Sequence, residues 1–282
     1  MKGQSSLLSQ RWCALGQAGR PVLRSLRFDM SGSFYESDRA FAEYLLFHYG
    51  LPKQVLPFAF GPVDALDFPV RCVKDCLITD GLGSNARALE LGCAVGRSSF
   101  ELARFCREVI GLDFSHRFIA TSRQLQTSGA LDYRFADEGS LTIQATAQVP
   151  LNIDRSRVVF DEGDAMNLPN EIGQFDVVLL ANLIDRLREP QRCLEQLANV
   201  VKSGGQLIIT SPCTWLEDFT PRQNWLGGFE RNGHPVKTLD TIQGILNSDF
   251  WLASRKDLPF LIREHARKFQ WSVAEATVWM RK

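Results

Sequence analysis

The sequence predicts an α/β fold, a doubly wound and mostly parallel sheet preceded by a helical extension. Three observations predict it. From Arg87 onward, short apolar runs alternate with segments of helical spacing; small residues at Gly92, Ala94 and Gly96 follow the first run; and the second run ends on an acid, Asp113, 21 residues beyond Gly92. Repeated strand-helix units imply parallel pairing with right-handed crossovers. A glycine turn between strand and helix, with an acid at the next strand end, places a ligand cleft outside the carboxyl ends of the strands.

In chain order, residues 1–33 carry no sustained period and read as a flexible tail. Residues 34–85 form an N-terminal helical, wrapping extension: Phe41, Leu45 and His48 fall at helical spacing, Tyr44 and Leu46 widen the stripe, and Gly50 and Pro52 end it. Four prolines in 51–85 suggest chain that wraps the main domain, 86–282. There, 86–91, 109–113, 157–160, 175–180 and 206–210 read as strands. The run 98–107 reads as a helix, and Ser115 caps another that stops at Gly129. Cys193, Leu194, Leu197, Val200 and Val201 mark a helix closed by Gly204 and Gly205; Leu239, Ile242, Ile245 and Leu246 mark the last one. Strands 250–254 and 271–280 close the fold. Residues 130–156 are an insertion, a lid or a dimer contact, with a hairpin turn at Asp137-Glu138-Gly139.

Composition narrows the function classes. Hydrophobic residues at 45% and charged ones at 23% exclude disordered and fibrous chains. Lys+Arg and Asp+Glu balance at 32 each, leaving no basic field for nucleic acid or an anionic membrane. No window approaches the roughly 18 apolar residues of a membrane span, and the first residues lack a signal peptide's apolar stretch. A cytoplasmic protein is expected. Seven scattered cysteines, an odd number, argue for reduced thiols. Cys72 and Cys76 could open a CxxxCxxC iron–sulfur motif, but its third position is Thr79, so both are expected to be packed. His48 and His116 read as structural, and no grouping has metal-ligand spacing, so no metal is expected.

The chemistry lies in the turns. In Ala-Leu-Glu90-Leu-Gly92-Cys-Ala94-Val-Gly96-Arg97, Arg97 stands where a GxGxxG dinucleotide fingerprint needs a small residue, which disfavours pyrophosphate. The shorter turn, with an acid two residues before it, resembles the S-adenosylmethionine (SAM) site of class I methyltransferases. That resemblance implies seven strands, the last antiparallel, with Glu90, Gly92, Ala94, Gly96, Asp113 and Phe114 around the cofactor. Asp113 would accept the ribose hydroxyls, and Asp164 with Ala165 would read the adenine edge. Ala181 and Asn182 end a strand leading into the cleft. No Asn/Asp-Pro-Pro-Tyr signature follows that strand, which favours a small diffusible substrate over a base.

Longer stretches resemble one family more closely. Tyr35-Glu-Ser-Asp-Arg39, Glu43 to Gly50, Ala65 to Cys72, Gly92 to Phe100, Ala181 to Leu187, Trp225 to Glu230 and Arg263 to Trp279 are similar to the methyltransferase of ovothiol biosynthesis, across about residues 34–281. The resemblance implies SAM-dependent N-methylation of the imidazole of 5-thiohistidine (4-mercaptohistidine) to ovothiol A. In that family the domain often follows a sulfoxide synthase; this chain has no room for one, so a separate synthase is the expected functional partner.

Methyl transfer from a sulfonium is an in-line displacement in which charge disappears, so alignment and desolvation can supply most of the catalysis. Asp185 and Asn182, at the cleft mouth, are expected to touch the substrate. A bidentate arginine suits its carboxylate. The link between the closing strands should return to the cofactor side, bringing Arg263, Glu264, His265 and Arg267 near the pocket, with Arg263 or Arg267 on the carboxylate. Tyr35 is expected as a lid over the cofactor's methionine end, and Trp215 and Trp225 as walls of an aromatic pocket. Two other readings stay open: another small amine, imidazole or thiol as substrate, or a non-catalytic SAM-binding subunit.

Overall fold

The computed structural model describes residues 35–282; the tail expected over 1–33 lies outside the described residues. A seven-stranded sheet is present, built from β1 (Arg87–Leu91), β2 (Glu108–Asp113), β5 (Val158–Glu162), β6 (Phe175–Ala181), β7 (Val201–Ser211), β10 (Phe250–His265) and β11 (Lys268–Arg281), in the order β10-β11-β7-β6-β1-β2-β5. Strands β5, β2, β1, β6 and β7 run parallel. As expected, the last strand is antiparallel; β11 opposes both β7 and β10. The chain leaves β1 toward β2 and β5, then returns to β6 on β1's other side. A switch of direction between adjacent parallel strands opens a crevice at their carboxyl ends, and β1/β6 is that place. The sheet interior is dry: Leu89, Leu91, Val177, Leu179 and Ile208 are buried, each contributing about 1.5–3 kcal/mol of transfer free energy.

The covering helices follow the capping residues. Ser115 caps α5 (His116–Ser128) by accepting the Phe118 N–H at 3.2 Å, and Gly129 ends it at φ +80°. Helix α4 (Arg97–Leu102) is shorter than the 98–107 pattern suggested, because the chain turns back at once and Arg107 N–H bonds Ala86 O. Helix α6 (Pro190–Val200) is not closed by Gly204 and Gly205. It runs straight into β7, where Gly204 at φ +75° lets the strand slip from the Phe175↔Val201 pair to Val177↔Gln206.

The closing strands are far longer than 250–254 and 271–280. They pair from Phe250↔Arg281 to His265↔Lys268, whereas β7 faces only Glu275–Met280 of β11, so the far half projects beyond the sheet as a two-stranded ribbon. Pro259 is tolerated because β10 is an edge strand.

The extension clasps that ribbon. Ser37 caps α1 (Asp38–Tyr49), and α2 (Pro52–Val55) and α3 (Phe68–Lys74) follow. Arg71 of α3 donates to Pro259 O at 3.0 Å; beyond it, Ile78 trades two hydrogen bonds with the Gln206 side-chain amide. The 130–156 insertion contains the expected hairpin, β3 (Ala130–Ala136) with β4 (Thr142–Gln148), and its tip joins the ribbon tip where Ala266 N–H bonds Asp137 O. A smaller hairpin, β8 (Phe229–Arg231) with β9 (His234–Val236), precedes α7 (Thr238–Leu246) and was not expected from the sequence.

Six cysteines are among the described residues, all free. Cys72 and Cys76 are buried with raised thiol pKa values, a consequence of burial.

Candidate active site

The turn from β1 to α4 is held in a conformation few side chains tolerate. Gly92, Ala94 and Gly96 take φ of +73°, +47° and +82°. A Cβ on Gly96 would stand 2.5 Å from Phe160 Cζ, against a buried and rigid ring. Gly96→Ala is therefore expected to lose about 2 kcal/mol from left-handed strain and overpacking. A urea midpoint equal to the wild type would show that the turn can relax.

Glu90 sits beneath this turn at 1% exposure, its two oxygens accepting the Ser98 and Ser99 hydroxyls. It has no surface to offer a ligand, which corrects its placement around the cofactor: it positions the start of α4. Burial pushes its carboxyl up to about 7.

At the end of β2, Asp113 accepts the Ala94 N–H through Oδ2 and the Ser115 N–H through Oδ1, both at 2.8 Å. One carboxylate thus ties the glycine turn to the cap of α5. Desolvation raises it to about 6. The next residue, Phe114, is 75% exposed, an aromatic face left open beside the strand ends. Across the crevice beyond β5, Asp164 accepts the Met166 N–H at 2.8 Å and pairs with Asn167, and Ala165 is buried behind it.

Both Glu90 and Asp113 hold protons at pH values where the unfolded chain has released them. Their contribution is complete below about pH 4 and is lost as pH rises through about 6 to 7. The urea midpoint of the ligand-free protein is accordingly expected to fall between about pH 5 and pH 8; a flat or rising profile would show that these burial-driven shifts do not set it.

Beyond β6, Ala181 ends the strand at the crevice. Asn182 follows at φ +52°, its N–H on Thr210 O and its Oδ1 accepting the Thr210 hydroxyl at 3.0 Å. The 3-10 turn Ile184–Arg186 then carries Asp185 inward, to 0% exposure. Asp185 accepts from Ser211 Oγ at 3.1 Å, Thr214 N–H at 3.0 Å and Arg186 Nη1 at 3.0 Å. This corrects the expected role: Asp185 is buried and saturated, a positioning group for the turn, with no oxygen facing a substrate.

Other expected substrate residues are also placed differently. Arg263 is buried under the ribbon, donating to Gln54 O, pairing with Asp137 at 3.5 Å and lying over the Phe135 ring. Glu264 is held by Arg39, Lys268 and Gln270. His265 accepts the Arg267 N–H, and Arg267 lies exposed in the ribbon turn. The link is the turn of a strand pair whose charges knit the ribbon to the extension. Trp215 is 8% exposed and spends its N–H on Thr238, and Trp225, stacked on it, donates to Thr220 O; both hold the 211–238 segment.

Tyr35 belongs to an aromatic cluster. Its ring packs on Tyr44, Phe118 and Phe219 at 5.9, 6.1 and 5.9 Å between centroids. Burial raises its phenol pKa, against the lowering effect of the nearby Arg186 charge. Arg186, Phe118 and Phe219 were missed by sequence reasoning; Tyr44 was read only as part of a helix stripe. Their common signal is contact across long sequence separations, which no local pattern encodes.

Residues 89–209 match the methyltransferase domain family. Over 124 residues the chain is 24% identical to ajmaline N-methyltransferase of Rauvolfia serpentina, covering 44% of this chain and 35% of that protein. Over 130 residues it is 29% identical to demethylmenaquinone methyltransferase of Lactiplantibacillus plantarum, covering 45% of each. The chain thus matches less than half the length of either relative. The solved structure of the [4+2]-cyclase SpnF shares the fold with a TM-score of 0.50 and 17% identity, over 82% of this chain and 75% of that one. No group of three or more metal-ligating side chains occurs among the described residues, and none of their helices is long and apolar enough to cross a membrane. Residues 89–209 of this chain are therefore similar to SAM-dependent methyltransferase domains, on the Rossmann-like fold described above.

Proposed function

We propose that the chain is a SAM-dependent N-methyltransferase that methylates the imidazole of 5-thiohistidine to give ovothiol A. The observation that carries this reading is the aromatic cluster beside the carboxyl ends of the strands. In it Tyr35 packs on Tyr44, Phe118 and Phe219, and the Arg186 guanidinium lies over the Phe219 ring. A flat, polar amino acid suits such walls. The resemblance across about residues 34–281 supports the thiohistidine assignment, and ajmaline N-methyltransferase carries an N-methylation name. A sulfoxide synthase would supply the substrate.

The residues fit the cofactor by chemistry. The left-handed turn 92–96 brings backbone close to the crevice, Asp113 presents a carboxylate for ribose hydroxyls, and Phe114 and Asp164 flank the place for an adenine. SAM supplies an electrophilic methyl group on a sulfonium. The chain's task is alignment. An imidazole nitrogen lone pair forms the new N–CH3 bond as the C–S bond breaks, and the ring then sheds a proton to water. The aromatic walls exclude water and keep the more nucleophilic thiolate off the line of attack. Asn182 remains the candidate polar contact beside the reacting ring.

Ribose recognition needs the ionised form of Asp113, so affinity for S-adenosylhomocysteine is expected to fall as pH drops below about 6, opposite in sense to the stability trend. Mass spectrometry after incubation with SAM and 5-thiohistidine, histidine or ergothioneine tests the reaction. A methylated product from thiohistidine alone is expected; normal cofactor binding without product from any of the three would overturn the substrate assignment.

A further inference from the structure

We propose that Arg186 holds the carboxylate of the amino-acid substrate. This rests on the methyl-transfer reading above and adds the group that selects an amino acid over the corresponding amine.

Few arginines near the crevice are free for that task. Arg97 is paired with Glu101, Arg117 with Asp38, Arg39 with Glu43 and Glu264, and Arg263 with Gln54 O and Asp137. Arg186 is different. Its Nη1 edge alone is anchored, on Asp185 O at 2.8 Å, Asp185 Oδ2 at 3.0 Å and Thr214 O at 2.9 Å. Nε and Nη2 donate to no described residue, and the side chain is 25% exposed. The guanidinium carbon lies 4.9 Å from the centre of the Phe219 ring, over its face. A planar fork held along one side with its other donors open is preorganised for a bidentate carboxylate.

The surroundings give that fork a direction. Phe219 also packs on Tyr35, and Tyr35 on Tyr44 and Phe118, so an aromatic wall runs from Arg186 toward the end of β2. The Arg186 charge also acts on the Tyr35 and Tyr44 phenols, whose pKa values burial raises. With its carboxylate on Arg186, a substrate would lay its ring along that wall toward the cofactor side. Buried Asp185 balances the arginine's charge so that it stands ready before substrate arrives.

Calorimetry on protein saturated with S-adenosylhomocysteine tests this without turnover, using 5-thiohistidine and its decarboxylated amine as paired ligands. The wild type is expected to bind the amino acid about 100-fold more tightly. Arg186→Met should abolish that preference while leaving the amine's affinity within about threefold. Arg186→Lys keeps a cation beside Asp185, which protects the fold, and should lose about tenfold for the amino acid only. Urea midpoints and cofactor affinity confirm that each variant is folded. Equal weakening of both ligands, an undiminished preference in either variant, or no preference in the wild type overturns the assignment. An Arg186-dependent preference without methylated product would instead leave Arg186 standing and remove the proposed reaction.

Discussion

Asp113→Ala is expected to weaken S-adenosylhomocysteine binding about 100-fold, the largest effect on cofactor affinity of any single substitution considered. The carboxylate takes the Ala94 N–H and the Ser115 N–H at 2.8 Å each, and its remaining lone pairs are those a ribose would use. Hydrogen bonds to a charged group are worth about 1.5–3 kcal/mol each, so losing the ribose contacts while loosening the turn amounts to about 3 kcal/mol. Asp113→Asn should lose less, because its amide oxygen can still accept one of the two N–H groups. Asp164→Ala should also lose less, since its hydrogen-bond partners, Met166 and Asn167, lie within its own loop. Calorimetric titration separates these outcomes: unchanged affinity in both alanine variants would remove the cofactor assignment from this end of the sheet.

How well each feature could be read depended on how local its cause is. The glycine turn, Asp113, the Ser115 cap and the Gly129 stop are set by residues adjacent in the chain, and all stand where the sequence implied. The hairpin in 130–156 was visible through its turn residues. The ribbon was not: 255–270 is rich in charge, and only the arrival of α1 to α3 against it explains why those residues remain extended. Trp215 looked like a pocket wall because nothing nearby in sequence shows Thr238 taking its N–H. Arg263 looked free because Gln54, 209 residues earlier, accepts its proton. Polarity in a loop indicates a partner, but its identity is a tertiary fact.

Asp185→Ala is expected to cost about 3 kcal/mol or more, because removing one member of a buried ion pair strands the other and orphans the groups bound to it. Ser211 Oγ and the Thr214 N–H lose their acceptor, and Arg186 loses the charge that holds its inner edge. For a domain of this size that corresponds to a melting temperature lower by roughly 10 °C. Asp185→Asn retains an oxygen for Thr214 and removes only the charge, so it should fold, bind S-adenosylhomocysteine normally, and show a raised KM for thiohistidine through a loosened Arg186. The pair of variants decides between two roles. A positioning carboxylate predicts lost stability in the alanine form and a KM effect in the asparagine form. A carboxylate that contacts the reacting ring predicts the reverse: near-normal melting in both, with kcat reduced and KM unchanged. Full burial and three satisfied contacts favour the first outcome, and a wild-type melting curve for Asp185→Ala would overturn it.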